Sequence, residues 1–249
     1  IQALSELPEP DLFNGGSVAL WNNASKLSLS NVTVQHEESL KASLHIQHFT
    51  WDGFGKIGIV GASGSGKSTF INMLAGLIQP NQAFITLNNQ SIPHFGVQGW
   101  QEQMLYIPQH PYIFNDTVAN NITFYTPHAS SEAIETACER AGLTEIIHSL
   151  PNGFDEKIGE TGRLLSGGQE QRIALARALL DEKRNILLFD EPTAHLDIET
   201  EWELKQSMLP LMENKLVFFA SHRLHWMLEM DYILVLDHGR IVESGTHEE

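Results

Sequence analysis

The chain has 249 residues, enough to bury the core of one full domain. Its 15 basic and 31 acidic residues give a formal charge of −16, which opposes the counterion-releasing contacts that dominate nucleic-acid binding and argues against DNA or RNA as a partner. One cysteine, Cys138, cannot form an internal disulfide, the 12 histidines are scattered without ligand spacing, and no apolar run reaches the roughly 18 residues of a membrane span.

Residues 1–26, IQALSELPEPDLFNGGSVALWNNASK, are rich in Pro, Gly, Asn and Ser and read as a linker, with a membrane part expected before it. From Leu27 the runs LSLSNVTV and SLHIQHF alternate apolar and polar residues, as half-exposed antiparallel strands do. KIGIVG then reads as a buried strand, followed by a glycine loop and the helical STFINMLAGLI. That strand, loop and helix order is what a phosphate-binding unit requires. Between about residues 117 and 168 the pattern is helical, with SSEAIETACERAGL and LTEIIHSL forming an inserted α-helical subdomain in which Cys138 reads as a buried thiol. Helix-forming QEQRIALARALL, strand-like NILLF, helical IETEWELKQSML, strand-like KLVFFA and a final YILVLDHGRIVESG restore β/α alternation, which predicts a mostly parallel sheet.

Gly61, Ala62, Ser63, Gly64, Ser65, Gly66, Lys67, Ser68 and Thr69 spell GASGSGKST, the spacing of a nucleotide phosphate loop. Glycines let backbone N–H groups approach phosphate oxygens, Lys67 reaches the β and γ phosphates, and Ser68 ligates Mg²⁺. In ILLFDE, an apolar strand delivers Asp190 to hold the metal, through water, and Glu191 to orient or polarise the attacking water. In LLSGGQEQRIALARAL, Ser166, Gly167, Gly168 and Gln169 place a hydroxyl and unhindered N–H groups at a helix start. An ordinary serine cap accounts for part of that pattern; Gly-Gly-Gln points further, to a second anion receptor. The fold class expected is α/β: a P-loop NTPase core with a mostly parallel sheet, an N-terminal antiparallel β subdomain and the inserted helical subdomain, all within residues 27–249.

In order and spacing these segments resemble the nucleotide-binding domains of ABC transporters from Leu27 to Glu249. The resemblance implies that Gln109, in YIPQHPYIF, senses Mg²⁺ and couples to a membrane domain, that His222, in ASHRL, contacts the γ-phosphate, and that Asp197, in AHLD, is the aspartate of the loop between sites. It implies ATP and Mg²⁺ as cofactors, with Glu191, His222, Lys67 and Gln109 catalytic, and Ser68, Gln109 and Asp190 on the metal. It also implies a head-to-tail dimer with a second such domain, each ATP lying between the phosphate loop of one chain and SGGQ of the other, so that one chain supplies half-sites. His36 stands where many members stack an aromatic ring on adenine, and reads equally as an exposed strand-end residue. His195 stands where a small residue is more usual.

Glu160, in IGETGRLLSGGQ, resembles the segment by which exporters touch their membrane domain. The runs PQHPYIF, DEPTAHLDIETE and ASHRLHWMLEMD resemble the CydD half-transporters of bacterial CydDC systems. That implies cysteine or glutathione export linked to cytochrome bd assembly, a transmembrane domain in the same full-length chain, a CydC-like partner, and a place at the cytoplasmic face of the bacterial plasma membrane. Two other classes are weighed against this. A soluble ABC ATPase of DNA repair or translation would show coiled-coil insertions, paired cassettes or basic tracts, and a non-catalytic regulatory module would lack Glu191 or His222.

Overall fold

A computed structural model describes residues 18–35, 43–181, 183–194 and 196–248. The first half contains β1 (Lys26–Val34), β2 (Leu44–Asp52), β3 (Gly55–Val60), α1 (Lys67–Leu74), β4 (Gln82–Leu87), β5 (Gln90–Ile92), α2 (Gln98–Gln101) and β6 (Met104–Ile107). The middle contains β7 (Asp116–Thr117), α3 (Val118–Ile122), α4 (Ser131–Arg140), α5 (Thr144–His148) and β8 (Lys157–Ile158). Then come α6 (Gly167–Leu180), β9 (Ile186–Asp190), α7 (Ile198–Met212), β10 (Leu216–Ala220), β11 (Tyr232–Asp237) and β12 (Arg240–Gly245).

Among the described residues, the strands form an antiparallel sheet in the order β2-β1-β4-β5, a six-stranded sheet in the order β12-β11-β3-β10-β9-β6, and the small β7-β8 pair. In the six-stranded sheet, β11, β3, β10, β9 and β6 run parallel, and β12 returns antiparallel through a turn at His238 and Gly239, both at positive φ. The expected α/β class is thus the observed one, with an antiparallel sheet, a parallel sheet and a helical region.

Continuous apolar strands follow from burial on both faces. Ile186, Leu188, Leu216 and Phe218 join one core with α1 and the antiparallel sheet, whereas Leu187, Phe189, Val217 and Phe219 join a second core with the helices from α3 onward. The helix α1 is therefore sandwiched, burying Phe70, Ile71, Met73 and Leu74. No helix among the described residues is long and apolar enough to cross a membrane.

The described residues before β1, 18–25, are held by the domain. Trp21 is 3% exposed, its ring meets Trp100 edge-on at 6.2 Å, and its Nε1 donates to Gly53 O at 2.8 Å. Its backbone N donates to Gln103 Oε1 (2.6 Å), and its carbonyl accepts from Asn185 Nδ2 (3.1 Å). The stretch expected as linker up to residue 26 thus includes a buried anchor that ties together the starts of β3, β6 and β9.

Candidate functional site

Sheet register decides which side chains meet. Ala220 of β10 lies opposite Ile59 of β3 and Asp190 of β9, and Phe189 lies opposite Ile107 of β6. The loops after β3, β6, β9 and β10 therefore leave the sheet along one edge, at the carboxyl ends where ligands bind in parallel α/β sheets. Those loops carry GASGSGKST, Gln109, Glu191 and His222.

The loop after β3 wraps into α1 with Gly66 as N-cap, at φ 105°, with no side-chain cap and no acidic residue in the first turn. The unpaired N–H groups and positive end of the helix dipole are left for an anion. A side chain at Gly61 would put Cβ 2.3 Å from the Leu236 carbonyl oxygen, and one at Gly66 would sit 3.1 Å from that of Ser43, in a backbone region that favours glycine. Gly239 N, from the β11–β12 turn, donates to Ser65 O and fixes the loop from behind. This close-walled backbone cradle fits a nucleotide's phosphates.

Lys67 Nζ donates to the carbonyls of Gly61 (2.9 Å) and Ala62 (3.2 Å) and lies 3.8 Å from Glu191 Oε1. Ser68 Oγ, one residue on, donates to Asp190 Oδ1 at 3.0 Å. Two hard oxygen donors so close fit a magnesium ion. Asp190 is 4% exposed; burial raises its pKa, Ser68 and Lys67 draw it down, and neighbouring Glu191 pushes it up.

Glu191 is 8% exposed and adopts φ 50°, a left-handed conformation that costs a residue with a Cβ about 1–3 kcal/mol. Its N–H donates to Ala220 O at 2.9 Å, which fixes the turn. Its Oε2 lies 2.6 Å from His222 Nδ1 and accepts from His222 N at 3.3 Å. The carboxylate oxygen is thus engaged by the Nδ1 side of the ring, which leaves Nε2 for another partner.

Ser166, Gly167, Gly168 and Gln169, the signature residues of LLSGGQ, stand apart. Ser166 caps α6: its Oγ accepts from Gln169 N (3.3 Å), while Gln169 Oε1 accepts from Ser166 N (3.0 Å). The cap takes up only Oε1 of the Gln169 side chain, so its Nε2, the Ser166 hydroxyl proton and the Gly167 and Gly168 N–H groups are donors that could meet an anion. Ser166, Gly167, Gly168, Gln169 and Asp197 line one open cavity of about 520 Å³ with His110, Arg172, Leu196 and Thr200, and no phosphate-loop residue lines it. Asp197 caps α7, and hydrogen bonds from Thr200 hold its carboxyl below the usual range.

Gln109 is joined to neither group by its side chain; its carbonyl accepts from Gln171 Nε2 at 2.6 Å, fastening the loop to α6. His36 and His195 lie outside the described residues. Glu160 is exposed in the turn after β8, where Asn115 Oδ1 accepts from Thr161 N at 2.9 Å, so this turn rests on the segment that follows Gln109. Sequence reasoning passed over two neighbours. Arg172 is three residues beyond Gln169, a helical spacing that puts both on the cavity wall. Tyr106 OH donates to Asn72 Oδ1 at 2.8 Å, joining β6 to the face of α1 one turn past Ser68; burial and Asp190 both push its pKa up.

Comparison with known proteins gives a consistent answer. The family described as "ABC transporter" matches residues 44–194. The glutathione/L-cysteine transport system ATP-binding/permease protein CydC of Bacillus subtilis is 55% identical over 229 residues, 92% of this chain and 39% of that protein. An ATP-dependent lipid A-core flippase of Idiomarina loihiensis is 37% identical over 244 residues, 98% of this chain and 42% of that protein. A solved structure of a bacterial Atm1-family ABC exporter with ATP bound matches with TM-score 0.85 and 32% identity, over 99% of this chain and 43% of that one. The chain thus spans about two fifths of the length of these relatives. The expected CydD half is not supported, since the relative named is CydC. The runs that suggested CydD are those that hold Gln109, Glu191, Asp197 and His222, residues expected at the nucleotide in any member of the family, so they do not separate one half from the other. On the match over residues 44–194 and these identities, the chain belongs to the ABC transporter family, as its ATPase domain.

Proposed function

We propose that this chain is the ATP-driven motor of a bacterial exporter half of the CydC type. The observation that carries the motor reading is the gathering of Lys67, Ser68, Asp190, Glu191 and His222 at one edge of the sheet, in hydrogen-bond or ion-pair contact. Lys67 would exchange the loop carbonyls for β and γ phosphate oxygens, a charge-assisted bond replacing a neutral one. Glu191, held by His222, would orient the attacking water and take up its proton. His222 Nε2 would face the γ-phosphate. A magnesium ion held by Ser68 and Asp190 would neutralise charge shared between the β and γ phosphates. Gln109 would report on that site through the loop that Gln171 fastens.

Because the SGGQ cavity has no phosphate-loop residue in its wall, it would receive the γ-phosphate of a nucleotide bound by a second domain. ATP would close two such domains head to tail, and hydrolysis would release them. The thiol reading rests on the 55% identity to the Bacillus CydC, and makes a CydD-like half the partner, cysteine or glutathione the cargo, and the cytoplasmic face of the membrane the location. The test is reconstitution of the full-length protein with its partner half in liposomes. ATP-dependent movement of radiolabelled glutathione or cysteine, abolished by Glu191→Gln, is the expected result. Flipping of a lipid A-type lipid without thiol movement would transfer the protein to the flippase reading.

A further inference from the structure

Glu201 is a carboxylate in the first turn of α7, 3% exposed, on no loop that touches the nucleotide site. Burying a carboxylate is unfavourable unless every lone pair is met. Here its oxygens are surrounded by donors. Oε1 accepts from Thr193 Oγ1 at 2.6 Å and Trp226 Nε1 at 2.8 Å, with His225 Nε2 at 3.4 Å, and Oε2 accepts from Arg223 Nη1. Arg223 Nη2 then donates to Leu196 O at 2.9 Å. Burial pushes the Glu201 pKa up, but the bonds from Thr193, Trp226 and Arg223 outweigh it and hold the group below its ordinary value.

The partners come from two segments. Thr193 and Leu196 belong to the stretch running from Glu191 to Asp197; Arg223 and Trp226 belong to the stretch that begins with His222. Three of the four lie within one or two residues of a group in the site, Thr193 two beyond Glu191, Leu196 beside Asp197 and Arg223 beside His222, and Trp226 lies four beyond His222. We infer that Glu201 is a positioning residue for hydrolysis, locking the Glu191–Asp197 stretch to the His222 stretch so that His222 stays on the Glu191 carboxylate. This rests on the reading that Glu191 and His222 carry hydrolysis. An apolar residue would close the same core at lower cost, so three hydrogen-bond donors on one buried charge mark a junction whose geometry has to be fixed. The same junction reaches Asp197 on the wall of the SGGQ cavity, and it couples that wall to the Glu191 site within one chain.

The experiment uses the full-length protein assembled with its partner half. Glu201→Gln keeps the shape and removes the charge. ATP affinity, measured with Mg²⁺ on a Glu191→Gln background to prevent turnover, should stay within about twofold, while kcat on the parent background falls about tenfold or more. The deciding readout is the same change made with His222→Ala. A residue that acts through His222 has nothing left to position, so the further loss should be under about twofold in single-turnover hydrolysis. Unchanged kcat in Glu201→Gln, or an equal fold loss with and without His222, overturns the inference. If Glu201→Gln fails to assemble, Thr193→Val removes one donor at constant shape and is held to the same cycle. Should His222→Ala alone leave kcat intact, the underlying hydrolysis reading falls first and this one with it; a His222→Ala defect beside a normal Glu201→Gln rejects this one alone.

Discussion

Replacing Trp21 by alanine tests whether the described residues before β1, 18–25, belong to the ATPase domain. Trp21 is 3% exposed against Trp100, Gly53 and Gln103, and removing a buried indole costs about 3–5 kcal/mol in transfer and cavity terms. The edge-on pair with Trp100 accounts for about 1 kcal/mol of that, and the carbonyl of Gly53, robbed of Nε1–H, adds about another where water cannot reach it. Backbone bonds from Trp21 N to Gln103 and from Asn185 to Trp21 O survive, so the estimate stays near 4 kcal/mol. For a domain of this size that is about 10 °C in Tm. Urea and thermal unfolding of the 249-residue chain, followed by near-ultraviolet circular dichroism, measure it. Trp21→Phe, which keeps an aromatic ring edge-on to Trp100 and loses the Nε1 bond and the rest of the indole, should cost about half as much or less. ATP affinity should hold in both variants, because Trp21 touches the starts of β3, β6 and β9 and the phosphate loop leaves the other end. A loss below about 1 kcal/mol for Trp21→Ala would refute the reasoning and return the stretch to the linker that its composition suggests.

Lys67→Ala should weaken ATP binding about 10- to 100-fold, the worth of a charge-assisted contact, and equal affinity in calorimetry would reject the phosphate-loop assignment. Glu191→Gln should retain ATP and lower turnover by about 10²-fold or more; mixed with the partner domain it should give an ATP-dependent dimer by light scattering that Ser166→Arg in this chain abolishes, and a dimer intact after Ser166→Arg would reject the head-to-tail sandwich. Burial pushes the Cys138 thiol from 9.0 up to about 12. The native state thus holds that proton more tightly than the unfolded chain, a contribution to stability present below about pH 9 and lost as pH rises through 12. At pH 8 a thiol reagent should therefore react only as the domain unfolds, and rapid labelling of the native protein would contradict the buried placement.

The sheet and the phosphate loop were legible because local rules govern them. Strands buried on both faces read as continuous apolar runs, and GASGSGKST announces its own turn and helix start. The placement of Trp21 was not, because its partners at Gly53, Gln103 and Asn185 are 32, 82 and 164 residues away, and a stretch rich in Asn and Gly gives no local sign that three strand ends converge on it. Glu201 was hidden for the same reason. On a helix wheel it is one acid among Glu199, Glu201 and Glu203, and only the return of the chain through Arg223 and Trp226 singles it out. The signature shows a third situation, where one sequence pattern serves two purposes. Ser166 with Gln169 three residues later reads as a capping box and forms one, which explains why the motif's local geometry is stable in a single chain. That same cap uses only the glutamine Oε1 and one serine lone pair, and leaves the serine O–H, the glutamine Nε2 and the glycine N–H groups on residues that line the cavity with Asp197. On the proposed head-to-tail reading, a phosphate arriving from a second domain would meet donors already held by the cap, which lowers the ordering cost at closure.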